Sequence, residues 1–153
     1  SVSATTRQPR PGEVDGVNYY FMSEREFLDR EARGEFLETA DVFGLAHYGT
    51  PIQPVVEHLE QNVPTVLEID IQGARRVKER AEELGLDVMT VFIAPPSFEE
   101  LKRRLIGRGT ETAEQQAKIE LAAESEFDVV IVNEVVEDAA AQLWNIIATE
   151  FGM

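Results

Sequence analysis

The second half of the chain alternates short apolar runs with longer amphipathic segments. The apolar runs occupy residues 66–71, 88–94 and 129–132, and each is nearly continuous and rich in β-branched residues. Such runs are typical of strands buried on both faces of a parallel sheet. Between and after these runs, helices are predicted at residues 73–84, 98–107, 114–125 and 137–151. This alternation indicates an α/β core of βαβ units from about residue 63 onward.

The first half has a different pattern, which predicts a smaller mixed α+β part. Residues 1–22 are rich in Ser, Thr, Arg, Pro and Gly and end in an aromatic run at 19–21. This is the pattern of a loop that leads into a short strand. Ser23 and Glu26 then form a capping box, so a helix is predicted from there to Gly34.

A second helix is predicted after a stretch of short strands and turns at residues 35–48. Thr50 and Gln53 have the spacing of another capping box, and Pro51 falls at the first helical position, where proline is favoured. We expect this helix to continue to about Gln61.

The charge balance narrows the possible partners. The chain of 153 residues carries 29 acidic and 14 basic side chains, a net charge of −15, which is the opposite of the basic surface expected of a nucleic-acid binder. The absence of cysteine excludes disulfides and thiolate chemistry. With neither an apolar run of about 18 residues nor a signal-like N-terminus, we expect a cytoplasmic protein that has no membrane partner.

Two carboxylates, Glu68 and Asp70, interrupt the first apolar run. Residues two apart on a strand point to the same face, and burying both acids is unfavourable unless each has a partner. One interpretation is that they cap or pair with neighbouring helices. The other is that they accept hydrogen bonds from a base or help to hold a magnesium shell, because ligands collect where parallel strands end.

Four basic residues are concentrated at 102–108. Arg104 and Arg108 are separated by four positions and would lie on one helix face, so both guanidinium groups could reach one polyanion. Glycines flank Arg108, which favours a mobile lid. For Lys102 and Arg103 we prefer a solvated face that pairs with nearby glutamates.

The first loop carries Arg7 and Arg10 among hydroxyl side chains, with Tyr19 a short distance beyond. Arginine forks and hydroxyls on one loop have the composition of a phosphate clamp. Neither His47 nor His58 has a set of metal-like partners, so zinc and hydrolytic chemistry are disfavoured.

Several motifs in the same order resemble guanylate kinases over almost the whole chain. The most specific is the run at residues 1–16, S-V-S-A-T-T-R-Q-P-R-P-G-E-V-D-G. It is followed by Y-G-T at 48–50, L-E-I-D-I-Q-G at 67–73, P-P-S at 95–97 and G-R-G-T-E-T at 107–112.

The resemblance implies transfer of the γ-phosphoryl group of ATP to GMP, on a P-loop kinase fold with an inserted GMP-binding domain and a lid. It places the GMP phosphate on Ser3, Arg7, Arg10, Tyr19 and Tyr48. It places guanine on Glu38, Thr50 and Asp70 and adds Glu68 and Gly73 to the GMP-binding residues, with Glu68 and Asp70 also near the magnesium and phosphates.

The resemblance also implies the residues that act on ATP. Arg104 and Arg108 would close over the transferring phosphoryl group, and Asn133 would lie near adenine. Magnesium would be held through the phosphates, with Asp70 contributing through water.

The implied domains are a core at 1–3 and 63–153, a GMP-binding domain at 4–62 and a shortened lid at 107–118. The family's Walker A loop precedes the S-V-S strand, and residues 1–153 do not supply it. We therefore expect the natural polypeptide to contain a phosphate loop before Ser1 and additional lid residues after Thr112.

Two other functions fit parts of the sequence. One is a guanylate-kinase-like interaction module that has lost nucleotide chemistry, but such modules typically lose the acid at Asp70, which is present here. The other is a P-loop kinase for a different nucleotide, which the guanine-reading acids disfavour. The sequence does not predict the oligomeric state.

Overall fold

The computed structural model describes residues 1–42, 44–107 and 113–152. The chain divides into two compact units, Ser1–Asp87 and Val88–Met153. Both units contain helices and strands, so the fold is mixed α/β, as the sequence predicts. None of the helices in the described ranges has the length and apolar character that a membrane span needs.

The first unit is built on a four-stranded mixed sheet. Its strands are β1 (Ala4–Thr5), β2 (Tyr20–Phe21), β3 (Phe36–Val42) and β4 (Ala46–Pro51), in the order β2-β1-β4-β3. β1 runs parallel to β2 and antiparallel to β4, while β3 and β4 form an antiparallel pair. β4 therefore has a hydrogen-bonded neighbour on each side.

Three helices belong to this unit: α1 (Glu24–Ala32), α2 (Ile52–Glu60) and α3 (Ile71–Leu84). The predicted cap of α1 is confirmed, because the Ser23 side chain accepts a hydrogen bond of 3.2 Å from the backbone N–H of Glu26. Asp70 caps α3 in the same way, accepting from the N–H of Gly73 at 2.7 Å. Both caps satisfy helical N–H groups that have no partner within their helix.

The sheet packs through two apolar clusters. Phe27 of α1 is fully buried and stacks on Phe36 of β3, with ring centroids 4.6 Å apart. A Cβ atom at Gly49 would lie 3.0 Å from the Phe36 ring and 3.1 Å from the Phe27 ring, so any other residue here would require these rings to shift. The second cluster consists of Leu37, Val55 and Val77, with Leu67 and Ile69 packed against it.

The second unit contains a parallel strand pair with helices around it. β5 (Val91–Ala94) pairs in register with β6 (Val129–Val132), and α4 (Phe98–Gly107) and α5 (Ala113–Ala123) lie between them in the chain. α6 (Val136–Glu150) follows β6. The predicted parallel pair and all three helices are thereby confirmed. Asp128 fixes the start of the pair, accepting from the Thr90 N–H at 2.8 Å and its hydroxyl at 2.6 Å.

The predicted strand at 66–71 is wrong. Residues 63–70 pair with no strand of the described chain, and α3 already begins at Ile71. Leu67 and Ile69 pack inward, while Val66 and the alternate acids are exposed. Apolar patterning predicts an extended backbone but cannot supply the neighbouring strand that a ladder needs.

The predicted capping box at Thr50 and Gln53 is also wrong. Pro51 ends β4 and precedes the first helical residue of α2, and no side chain caps that helix. The Thr50 hydroxyl instead donates to Glu38, and the Gln53 amide donates to Glu57 at 2.8 Å. Burial of Thr50 within the sheet directs its hydroxyl to the neighbouring strand instead of the helix.

We expect Phe27→Ala to lower the free energy of unfolding of the first unit by about 3–5 kcal/mol, because truncation leaves a cavity beside Phe36. The matched surface control is Leu45→Ala, since Leu45 is 86% exposed and its truncation should change stability by less than about 0.5 kcal/mol. Urea denaturation followed by far-UV circular dichroism measures both. Tryptophan fluorescence is the wrong probe, because Trp144 lies in the other unit. Equal stabilities of the two variants would contradict the assigned core.

Candidate functional site

The first group of polar side chains gathers around Arg7, and we call it the arginine cluster: Arg7, Glu13, Tyr19 and Tyr48. The Arg7 guanidinium makes a two-pronged ion pair with Glu13, at 2.9 and 3.0 Å. Its Nε donates to the Tyr48 hydroxyl at 3.3 Å, and its Cζ lies 5.4 Å from the centre of the Tyr19 ring. The structure thus brings together three of the five residues predicted for the GMP phosphate.

The ion pair sets the charge state of the arginine cluster. The Arg7 guanidinium and the backbone N–H of Arg10 hydrogen-bond to the Glu13 carboxylate and lower its pKa to about 2. The same carboxylate, with the Tyr48 hydroxyl, raises the pKa of Arg7. Both side chains are therefore charged throughout the neutral range.

The other two predicted phosphate residues lie on the same loop and strand edge. The Ser3 carbonyl accepts from the N–H of Tyr20 at 2.9 Å, next to the residue pair that joins β1 and β2. Arg10 is exposed, and its side chain makes no hydrogen bond or close ion pair with the described residues. Its guanidinium is therefore open to an incoming anion.

A second group, the carboxylate cluster, consists of Glu38, Thr50, Asp70 and Gly73. The Thr50 hydroxyl donates to Glu38 Oε1 at 2.8 Å, across the β3–β4 pair. A Cβ atom at Gly73 would lie 3.2 Å from Asp70 Oδ1 and 3.6 Å from Glu38 Oε2. Glycine at this position therefore leaves open the space beside both carboxylates, as a planar ligand edge would require.

The surroundings of Glu38 change the pKa of its carboxyl group. Burial raises the pKa of the Glu38 carboxyl, and the neighbouring Asp70 charge raises it further. The Thr50 hydrogen bond and the positive charge of Arg76 act in the opposite direction. A ligand that donates hydrogen bonds to Glu38 would favour its ionised form.

Asp70 and Glu68 differ from the buried carboxylates that an apolar strand would contain. Both are exposed, because residues 63–70 cover the apolar cluster with only one face. Asp70 caps α3 through Oδ1, as one of the two sequence interpretations proposed, and this role is compatible with a ligand at Oδ2. Glu68 has no described contact with the carboxylate cluster.

The remaining predicted residues belong to the second unit. Arg104 Nε donates to Glu100 at 2.7 Å, and Arg103 pairs with the same carboxylate. Pairing with a nearby glutamate was expected for Arg103, and Arg104 makes the same contact. Asn133 follows β6, and its backbone N–H donates to the Ala94 carbonyl at 2.7 Å. Arg108 lies outside the described residues.

Comparison with known proteins identifies the family of the chain. A family model described as "Guanylate kinase" matches residues 1–150. A guanylate kinase from Bifidobacterium longum is 73% identical to the chain, covering all of it and 81% of the relative, and one from Streptomyces kasugaensis is 51% identical, covering 99% and 75%. The chain belongs to the guanylate kinase family. The crystal structure of the Anaplasma phagocytophilum guanylate kinase is also similar, with a TM-score of 0.76 and 40% identity over 98% of this chain and 74% of that one.

Two residues in or beside the clusters, Glu13 and Arg76, were not among the site residues predicted from the sequence. Glu13 contacts Arg7, and its signal was present in the G-E-V-D-G segment that follows the arginine loop. Arg76 donates to the Thr39 carbonyl and acts electrostatically on Glu38. Only the packing of α3 against β3 reveals Arg76, because 37 residues separate it from Thr39 in the chain.

The raised pKa of Glu38 predicts the sign of a pH effect on stability. The folded-state pKa of Glu38 exceeds its unfolded value. The contribution of Glu38 to folding stability is therefore largest below the unfolded pKa and is lost as the pH rises through the folded pKa. The stability of the natural chain relative to Glu38→Gln should therefore fall as the pH rises from the ordinary carboxyl pKa of 4.5 into the neutral range. This range lies above the isoelectric point near 4.5.

Urea denaturation of both proteins across that range provides the measurement. Glu13→Gln is the matched control, since the pKa of Glu13 is about 2 and its carboxylate stays ionised throughout the range. The stability difference for this control should be flat. A flat difference for Glu38→Gln as well would contradict the assigned environment.

Proposed function

We propose that this chain transfers the γ-phosphoryl group of ATP to GMP, giving GDP and ADP, and that the first unit binds GMP. Guanine would lie against the carboxylate cluster, and the phosphate would lie against the arginine cluster and Arg10. The observation that carries the proposal is that β4 presents Tyr48 to one cluster and Thr50 to the other. Residues two apart on a strand share a face, so both clusters face the same side of the sheet.

The chemistry of each cluster matches one end of GMP. Guanine presents an N1–H and an amino group as donors, and the carboxylates of Glu38 and Asp70 are acceptors when ionised. Adenine lacks those donors, so a site built to accept them rejects it. At the other end, Arg10 offers a guanidinium fork that no described residue pairs with, and this fork geometry suits a phosphate group.

Arg104, Arg108 and Asn133 enter the proposal from the resemblance of their motifs to the family. The two arginines would stabilise charge on the transferring phosphoryl group, which is the main requirement of phosphoryl transfer. Arg104 would exchange its contact with Glu100 for the nucleotide. Asn133 would contact the adenine end of ATP.

Magnesium fits the described residues as an ion held by nucleotide phosphates. Mg²⁺ usually keeps several waters and takes one or two carboxylates together with substrate phosphates. The described residues contain no group of three or more His, Cys, Asp or Glu side chains arranged for a metal. The exposed Asp70, with one oxygen engaged by Gly73, could accept from a water of that shell.

The P-loop kinase arrangement and its domains are also part of the proposal. The parallel β5–β6 pair supports a core at 63–153 with residues 1–3, and the mixed sheet supports a GMP-binding part at 4–62. The compact unit Ser1–Asp87 includes α3, which this division assigns to the core. The lid at 107–118 rests on the motif alone. No observation favours the inactive interaction module, because both predicted guanine-reading acids are present.

We expect isothermal calorimetry to detect GMP binding by the full chain, with no binding of AMP or CMP at the same concentrations. Adenine and cytosine would leave the carboxylate cluster without its donors, which costs far more than a lost apolar contact. A coupled ATP/GMP turnover assay on the same preparation tests the reaction itself. Equal binding of GMP and AMP would contradict the placement of guanine.

Asp70→Asn should weaken GMP binding by about 10- to 100-fold while leaving the unfolding temperature unchanged. Asparagine caps a helix as well as aspartate does, so the substitution removes the charge but preserves the cap of α3. Glu99→Gln, an exposed acid in the first turn of α4, is the matched control and should have little effect. Similar effects of the two substitutions would show that Asp70 is only structural.

A further inference from the structure

We infer that Glu13 is a positioning residue for the phosphate end of the GMP site. It holds the Arg7 guanidinium in one orientation, Arg7 then fixes the Tyr48 hydroxyl as a donor to the phosphate, and Arg10 remains the freely available guanidinium. This inference rests on the proposed function, because it assigns roles within the same site.

The hydrogen bonds of Arg7 show that most of its N–H groups are already engaged. A guanidinium has five N–H groups. One on Nε donates to Tyr48, two on Nη1 donate to Glu13 and the Gln8 carbonyl, and one on Nη2 donates to Glu13. Among the described residues, a single Nη2 N–H of Arg7 is left for a ligand. Arg7 therefore cannot present its fork to phosphate while Glu13 holds it.

The direction of the Arg7–Tyr48 hydrogen bond leaves the Tyr48 hydroxyl as a donor. Arginine has no acceptor, so the Tyr48 oxygen accepts from Arg7 Nε and keeps its own proton free to donate. This proton is available to an acceptor such as a phosphate oxygen. The Tyr48 ring is also held from the side by Tyr19, with centroids 6.0 Å apart in an edge arrangement.

Glu13 fixes the loop as well as the arginine. Its Oε2 accepts from the Arg10 backbone N–H at 2.6 Å, and its own N–H donates to the Arg10 carbonyl at 3.0 Å. These bonds close the turn between the two residues, and the Arg10 side chain extends from that turn into solvent. One carboxylate thus sets the positions of both predicted phosphate arginines.

The electrostatics agree with this division of roles. Arg7 and Glu13 side chains are 18% and 19% exposed, so their opposite charges largely cancel within a partly buried pair. The Arg10 side chain is exposed and makes no close ion pair with the described residues, so its positive charge is accessible to an anion. In a chain of net charge −15, that local charge attracts the phosphate against the surrounding field.

The experiment compares Glu13→Gln with the natural full chain, using GMP and guanosine as separate calorimetric ligands. Glutamine keeps one acceptor for the loop but loses the charge and the second acceptor for Arg7. We expect the dissociation constant for GMP to rise by about tenfold and that for guanosine to stay unchanged. Equal weakening of both ligands, or no change in either, would overturn the inference.

Glu35→Gln is the matched control, because Glu35 forms an exposed ion pair with Arg33 at 2.5 Å outside both clusters. It should leave the binding of both ligands unchanged. Glu13→Asp supplies a second variant if Glu13→Gln folds poorly. We expect it to recover part of the GMP affinity, because it restores the carboxylate, and no recovery relative to Glu13→Ala would count against the inference.

A double-mutant cycle with Tyr48→Phe tests the route through Tyr48. If Glu13 acts through Arg7 and Tyr48, the tenfold effect of Glu13→Gln should shrink in the Tyr48→Phe background. An undiminished effect there would overturn that route. Failure of the natural chain to prefer GMP over AMP would instead contradict the proposed function, so the two failures are distinguishable.

Discussion

The register of β4 is the constraint on which the candidate site depends. This strand pairs with β1 on one side and β3 on the other, which places Thr50 opposite Glu38 and Tyr48 opposite Thr5. Because side chains alternate along a strand, a slip of one residue would turn Tyr48 and Thr50 to the opposite face. Both clusters would then be lost together. Gly49 favours this register, since a side chain between the two site residues would crowd the Phe27–Phe36 stack.

Two acidic residues of the site lie beside arginines. Glu13 pairs with Arg7, while Arg76 lies close enough to Glu38 to moderate the effect of burial on its carboxyl. A negatively charged chain can therefore contain a site for an anionic nucleotide, because individual arginines, not the net charge, determine the local potential. The exposed Arg10 is the clearest example in the first unit.

The parts of the fold that were predicted correctly are those with a signal in the local sequence pattern. The cap at Ser23, the parallel β5–β6 pair and the helices that follow 97 and 135 were all signalled by neighbouring residues. The errors at 66–71 and at Thr50 arise where the local structure depends on contacts with residues distant in the chain. Residues 63–70 lack a neighbouring strand in the described chain, and Thr50 has a better acceptor in Glu38 than its own helix provides. The spacing of neighbouring residues reveals neither the missing strand nor the contact with Glu38.

By itself, the sequence determined the mixed α/β class, the family and most of the side chains that gather on the first unit, because motifs and periodicity are written in consecutive residues. Tertiary structure decided how those side chains are used. It exposed Asp70 at the start of α3, paired Arg7 with Glu13, and brought Arg76 toward β3. These outcomes depend on which groups meet after folding, and the distance between two residues along the chain does not reveal the distance between their atoms.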